Sequence, residues 1–148
     1  MNIPDFLSPT DALIDVAAAD KQKLLSELAR KAGKILDMPS EQILVELVKR
    51  EELGSTGVGG GVAIPHARFA QVNKPFGMLA RLRKPIAFDA VDGRPVDVVF
   101  LLLLPGSPVG EQLGALASIA RKLRKGEVAA ALRSARDGAE MYRTLTAG

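Results

Sequence analysis

The sequence predicts an α/β sandwich, in which a mixed β-sheet has helices on both faces. Segments with apolar residues at helical spacing stand both before and after two apolar segments with strand character. The loops are short, and there is no internal repeat, linker or low-complexity segment. Helices from both ends of the chain must therefore cover the same sheet. We expect a single domain over residues 1–148.

Two helices are predicted before the strands. Asp20 is a suitable N-cap for the first helix, whose apolar residues recur three and four positions apart. These residues are Leu24, Leu28, Ala32 and Ile35. The second helix begins near Ser40, directly after Pro39, and Gly54 is its predicted stop signal.

The strands and the remaining helices follow in order. Residues 76–83 alternate in the manner of a strand, whereas residues 96–104 are almost continuously apolar, which is typical of a strand buried on both faces. Asp92-Gly93, between them, indicates a turn rather than a pair of catalytic carboxylates with Asp89. Helices are predicted near residues 113–123, 127–134 and 138–146.

Composition excludes several classes of site. The chain has no cysteine, which excludes disulfides, zinc–thiolate sites and thiol nucleophiles. One histidine excludes a multi-histidine metal site within one chain, and we predict no metal and no cofactor. The net charge is only +3 and aromatic residues are few, so we expect no nucleic-acid partner. The densest basic cluster, residues 121–125, suits a solvated helix end or an acidic protein partner.

The chain shows no feature that predicts membrane insertion. The longest apolar run, residues 98–104, is far shorter than the ~20 residues that span a bilayer. The amino terminus has no basic start followed by an apolar run, and so no secretory signal is recognised. We expect a cytoplasmic protein.

The most informative segment is residues 54–69, "GSTGVGGGVAIPHARF", which we call the glycine-rich ramp. It contains the only histidine of the chain, His66. Neither G-x-G-x-x-G nor G-x-x-x-x-G-K-[ST] fits it, so nucleotide binding is disfavoured. Pro65 fixes its own φ and presents His66 at a stiff strand end. A neutral imidazole there could act as a general base, as the nucleophile toward a phosphoryl group, or as a hydrogen-bonded structural residue.

The stretch "RxxxGSTGVGxGVAIPHA", Arg50 to Ala67, resembles the active-site signature of enzyme IIA domains of the fructose/mannitol class in the phosphotransferase system. Within that class the likeness is strongest to the nitrogen-regulatory branch, and it extends through residues 84–105 and the following helix. The resemblance implies a single enzyme IIA type-2 domain. It also implies that His66 accepts a phosphoryl group from a histidine-containing phosphocarrier protein, and that Arg50 steadies the charge of that phosphate.

Three further residues are predicted at the site: Gln112 from the resemblance, and Ser55 and Thr56 from their residue types beside His66. Many family members carry a second active-site histidine, followed by leucine, where this chain has Gln112-Leu113. We predict that the Gln112 amide lies beside His66 and donates a hydrogen bond either to a phosphoryl oxygen or to the imidazole nitrogen that is not phosphorylated. The amide cannot carry a positive charge or shuttle a proton. Ser55 and Thr56 are predicted to stabilise the phosphate or only to bond loop N–H groups.

These observations leave three functions open. The first is a regulatory phosphoprotein, a component of a phosphotransferase relay that forms a phosphohistidine and signals through its phosphorylation state. The second is an interaction module that binds regulatory targets independently of phosphate. The third, a sugar-transport component, ranks last because of Gln112.

Overall fold

The computed structural model describes residues 1–107 and 114–147. The strands are β1 (Ala12–Val16), β2 (Gly57–Gly59), β3 (Val62–Ala63), β4 (His66–Phe69), β5 (Phe76–Ile86) and β6 (Val96–Pro105). The helices are α1 (Lys21–Leu36), α2 (Ser40–Glu52), α3 (Gly114–Leu123), α4 (Gly126–Ser134) and α5 (Gly138–Thr146). Short 3₁₀ helices cover Ile3–Asp5 and Pro9–Asp11. All five predicted helices and both predicted strands are confirmed, while β1–β4 were not predicted as strands.

The sheet is mixed, as predicted, and its order is β1-β5-β6-β3-β2, with β4 also paired to β6. Strands β5 and β6 form the central antiparallel pair. Strand β1 runs parallel to β5 on one side, and both β3 and β4 run parallel to β6 on the other. Two short strands, β3 and β4, thus follow each other along the same edge of β6.

Strand β6 explains why helices cover both faces. Its side chains alternate between two buried clusters, as the period of a strand requires. Val99, Leu101 and Leu103 join the cluster that α1 and α2 cover. Phe100, Leu102 and Leu104 join the cluster that α3, α4 and α5 cover. The predicted sandwich with helices on both faces is therefore confirmed.

The first helix begins where the sequence predicts. The carboxylate of Asp20 accepts a hydrogen bond of 2.8 Å from the backbone N–H of Lys23, which satisfies one orphan donor of the first turn of α1. The helix ends at Asp37, whose φ of +54° is left-handed. Helix α2 follows after only a few residues and directs its last turn toward the glycine-rich ramp.

The helices of the described parts of the chain are all too short or too polar to cross a bilayer.

Candidate functional site

The glycine-rich ramp folds as a small hairpin, in which β2 and β3 are antiparallel. Its turn is formed by Gly60 and Gly61, whose φ angles are +67° and +79°. A two-residue turn with positive φ at both positions favours glycine strongly. Gly57 has a different reason to be glycine, because a Cβ there would lie 2.8 Å from the Cβ of Ala90. The glycines therefore shape a tight hairpin packed against the β5–β6 loop.

The β5–β6 loop contains the predicted turn at Asp92-Gly93, and this interpretation is confirmed. The N–H of Gly93 donates to the carbonyl of Ala90 at 2.9 Å, and Gly93 has a φ of +73°. The Asp92 carboxylate accepts bonds from the backbone N–H groups of Gly60, at 2.9 Å, and Arg94, at 3.1 Å. Asp92 thus joins two loops.

His66 is the first residue of β4 and pairs with Leu102 of the central strand β6. Pro65, which precedes it, accepts a 2.9 Å hydrogen bond from the N–H of Leu102. The Nδ1 atom of His66 lies 2.8 Å from the carbonyl oxygen of Ile64. Since a carbonyl can only accept, Nδ1 carries the proton in the neutral ring and Nε2 keeps a lone pair.

His66 lies in an open cavity of about 640 Å³ between α2, β4, β6 and α3. Its lining includes Arg50, Leu53, His66, Arg68, Leu104 and Leu116. The structure therefore brings Arg50 and His66 together, although sixteen positions separate them in the chain. The histidine is half-buried, so it is held by the protein and still reachable from the cavity.

The environment of His66 keeps its imidazole neutral. Burial is the largest influence and lowers the pKa below its ordinary value of about 6.5. The hydrogen bond to Ile64 raises the pKa and the charge of Arg50 lowers it, while Glu51 raises it and Arg68 lowers it by smaller amounts. The net shift of the pKa is downward, so the ring is neutral near pH 7.

Arg50 lies in the last turn of α2 and is half-buried. Its Nη1 donates a 2.8 Å hydrogen bond to the carbonyl oxygen of Gly54, the first residue of the ramp. A guanidinium has five N–H donors, so this contact leaves others for a ligand. The hydrogen bond fixes the side chain at the start of the ramp and beside the cavity.

Ser55 and Thr56 bond within the protein. The Ser55 hydroxyl donates to the carbonyl of Phe88 at 2.7 Å and accepts from the N–H of Gly57 at 3.0 Å. The Thr56 hydroxyl donates to the Glu51 carboxylate, and only 4% of the residue is exposed. The bonds to Phe88 and Glu51 hold the ramp in place, and the contact of these two residues with phosphate stays a prediction.

Gln112 lies outside the described residues, so its predicted position beside His66 also stays a prediction.

Sequence reasoning missed two charged residues near His66. Arg68 lies two positions after His66 in β4, on the same face of the strand, and lines the same cavity. That spacing could have identified it. Glu51 has a side chain only 6% exposed, and its Oε2 lies 2.6 Å from Nζ of Lys21. No local signal points to Glu51, because its partner stands thirty positions earlier in another helix.

Comparison with known proteins shows the family of the chain. Residues 5–148 match the family described as "Phosphoenolpyruvate-dependent sugar phosphotransferase system, EIIA 2". A nitrogen regulatory protein from Bradyrhizobium diazoefficiens is 43% identical over 145 residues, which cover 98% of this chain and 95% of the relative. The nitrogen regulatory protein of Escherichia coli K12 is 34% identical over 132 residues, 88% of this chain and 81% of that one.

Solved structures of proteins with similar folds lead to the same family. The nitrogen regulatory protein IIA-Ntr of Neisseria meningitidis superposes with a TM-score of 0.89 at 34% identity, covering 97% of this chain and 99% of that one. The mannitol IIA of Escherichia coli gives a TM-score of 0.72 at 18% identity, covering 90% and 96%, which supports the fold alone. The resemblance inferred from the sequence is confirmed: the chain belongs to the enzyme IIA type-2 family of the phosphoenolpyruvate-dependent sugar phosphotransferase system.

Proposed function

We propose that this protein is a regulatory component of a phosphotransferase relay and accepts a phosphoryl group on Nε2 of His66. The observation that carries the proposal is the neutral imidazole, whose Nε2 keeps its lone pair, half-buried in a cavity that Arg50 and Arg68 also line. The donor is a histidine-containing phosphocarrier protein. A phosphohistidine on the carrier and one on the acceptor have similar bonds, so the group can pass between them with little change in bond energy.

The chemical step is an in-line displacement at phosphorus. The lone pair of His66 Nε2 forms the new N–P bond while the N–P bond of the donor breaks, and the donor nitrogen keeps that electron pair. The Nδ1 proton stays on the ring, and its bond to Ile64 stabilises the positive charge that develops there. Arg50 and Arg68 stabilise the three equatorial oxygens, and the guanidinium fork suits this role.

A protein donor needs a surface on which to dock. Leu53, the residue that ends α2, is 85% exposed and lines the cavity of His66. The half-buried Leu116 adds apolar surface to the same lining, which also includes the buried Leu104. An apolar rim beside the reactive nitrogen suits a transient protein–protein contact, because it adds binding energy without an ordered ligand pocket.

The regulatory assignment rests on two observations. Relatives that cover most of this chain are named nitrogen regulatory proteins. Gln112 stands where many family members have a second active-site histidine, and an amide cannot become cationic during onward transfer. Phosphorylation adds nearly two negative charges beside Leu53, which would change the affinity of a target protein for this surface.

Intact-mass measurement tests the proposal. The purified protein is incubated with phosphoenolpyruvate and a phosphocarrier system, and it should gain the mass of one phosphoryl group. The gain should be absent in His66→Ala and unchanged in a surface control, Lys34→Ala. A wild-type chain that gains no mass while still binding a regulatory target would replace the proposal by the phosphate-independent interaction module. Onward transfer to a sugar-transport partner would favour the transport function instead.

A further inference from the structure

A second cavity, of about 530 Å³, lies between the β2–β3 hairpin, the end of α3 and the start of α4. It shares no lining residue with the cavity of His66. The proposed phosphoryl transfer does not use it. Its volume falls within the range of small-molecule sites, about 300–1,000 Å³.

Three arginines line this second cavity: Arg94, Arg124 and Arg133. Arg133 is fixed, because its Nε donates to Asp97 at 2.9 Å and its Nη2 donates to the carbonyl of Gly60 at 2.7 Å. Arg94 and Arg124 make no side-chain hydrogen bond or ion pair with any group in residues 1–107 and 114–147. None of the described lining residues is acidic. Asp97 offsets the charge of Arg133. The pKa of the neighbouring Asp92 carboxyl is lowered by its hydrogen bond from the backbone N–H of Gly60 and also by the charge of Arg94, so the excess of positive charge at the cavity is small.

The first turn of α4 adds backbone donors. Gly126, the first residue of α4, lines the cavity, and the N-cap residue Lys125 provides no side-chain cap. The N–H groups of Gly126 and Glu127 have no acceptor among the described residues. Uncapped N–H groups at a helix N-terminus attract anions, and here they stand beside the arginines.

The apolar lining residues, here called the floor, are the half-exposed Val58 and the buried Val62, Leu123 and Ala129. A simple inorganic anion would leave this floor uncovered. A ligand with an anionic group at one end and an apolar body at the other would match both parts. Phosphate suits the anionic end better than carboxylate, because its three oxygens can accept from two guanidinium forks and a helix N-terminus together.

We propose that this cavity binds a small organic phosphate, with the phosphate held by Arg94, Arg124 and the first turn of α4 and the apolar body on the floor. Arg133 shapes the wall through its bonds to Asp97 and Gly60. The site is independent of His66, so its test does not depend on phosphoryl transfer.

Phenyl phosphate is a suitable probe, because it combines a phosphate with an apolar ring. Titrations of the unphosphorylated protein are followed by calorimetry and by the backbone amide signals of Gly60 and Gly126. Phenyl phosphate should bind at least about tenfold more tightly than inorganic phosphate, since the ring covers the apolar floor. The double variant Arg94→Gln/Arg124→Gln should weaken binding about 10- to 100-fold, because it removes two charged donors.

A matched control is Arg136→Gln/Arg143→Gln, which removes the same charge from exposed positions that do not line the cavity. Binding should be unchanged in this control. Equal affinity in wild type and Arg94→Gln/Arg124→Gln would overturn the proposal, as would signal changes confined to Arg50, His66 and Arg68. Binding of a poly-glutamate peptide but not of phenyl phosphate would also overturn it, and would assign the arginines to an acidic protein partner.

Discussion

The Nδ1 atom of His66 lies 2.8 Å from the carbonyl oxygen of Ile64, and this contact determines which imidazole nitrogen can react. Because the carbonyl accepts, the proton stays on Nδ1 and the lone pair stays on Nε2. Ile64 is itself fixed, since its N–H donates to the carbonyl of Thr56 at 3.0 Å. The glycine-rich ramp therefore sets the orientation of the ring as well as its position.

Replacing Arg50 by alanine should slow phosphoryl acceptance by about 10- to 1,000-fold, because one charge-assisted donor to the phosphate is lost. The free energy of unfolding should fall by about 1 kcal/mol, the value of the hydrogen bond to Gly54. Rapid-quench kinetics and urea unfolding measure the two effects. Arg50→Lys, which keeps the charge but not the fork, should lie between wild type and alanine. A transfer rate unchanged in Arg50→Ala would show that the arginine only ends its helix.

The rate of phosphoryl acceptance should fall as the pH is lowered and should reach half its maximum only below about pH 6.5. The reason is that burial holds the pKa of His66 below its ordinary value of about 6.5, and only the neutral ring can attack. The measurement is the pH profile of the single-turnover rate. Half-maximal activity at or above pH 7 would contradict the lowered pKa.

The same shift predicts a loss of stability in acid. The unfolded chain binds a proton at His66 before the folded one does, so the contribution of His66 is fully present above about pH 6.5. It decreases as pH falls from there to the lower folded pKa. In urea unfolding, wild type should lose more stability than His66→Gln over this window, and parallel pH dependences would contradict the prediction.

Glu51→Ala should lower the free energy of unfolding by about 3 kcal/mol or more, because it leaves the charge of Lys21 largely buried without its partner. It also removes the acceptor of the Thr56 hydroxyl and N–H. Urea unfolding provides the measurement. The matched control is Glu46→Ala, whose partner Lys49 is exposed, and its cost should stay below about 1 kcal/mol. Equal losses in the free energy of unfolding for the two variants would contradict the prediction, because the buried ion pair would then contribute no more to stability than the exposed one.

Leu53→Ser should raise the KM for the phosphocarrier protein several-fold with little change in kcat, because it removes exposed apolar surface at the rim of the cavity. Stability should change by less than about 0.5 kcal/mol, as the side chain is 85% exposed. The control is Val91→Ser, which is 78% exposed on the β5–β6 loop and should leave KM unchanged. Steady-state kinetics at varied carrier concentration decide between these outcomes.

The sequence predicts those elements whose signals are local. Asp20 and the apolar spacing after it define α1, and the apolar run of β6 identifies the central strand. Strand β4 has only four residues and exists because His66–Phe69 pairs with Leu102–Pro105. Because this partner lies more than thirty positions away, the pairing leaves no pattern within residues 66–69 themselves, so β4 could not be predicted.

In the site, too, the residues with local sequence signals can be predicted, whereas contacts between distant segments cannot. The glycine-rich ramp marks His66 in the sequence, and the family resemblance adds Arg50. Thr56 could be named, but the burial of its side chain against Glu51 depends on how α2 meets the ramp. The second cavity is lined by residues 58–62, by Arg94 and by residues 120–133, and the sequence does not show that these three segments meet.

The central claim is that Nε2 of His66 accepts the phosphoryl group. Because the chain has one histidine, its imidazole nitrogens can be observed without overlap after ¹⁵N labelling. We predict that NMR of the phosphorylated protein shows the phosphorus bonded to Nε2 while Nδ1 keeps its proton and its bond to Ile64. Phosphorus bonded to Nδ1, or an acid-stable phosphate on another residue, would contradict the claim.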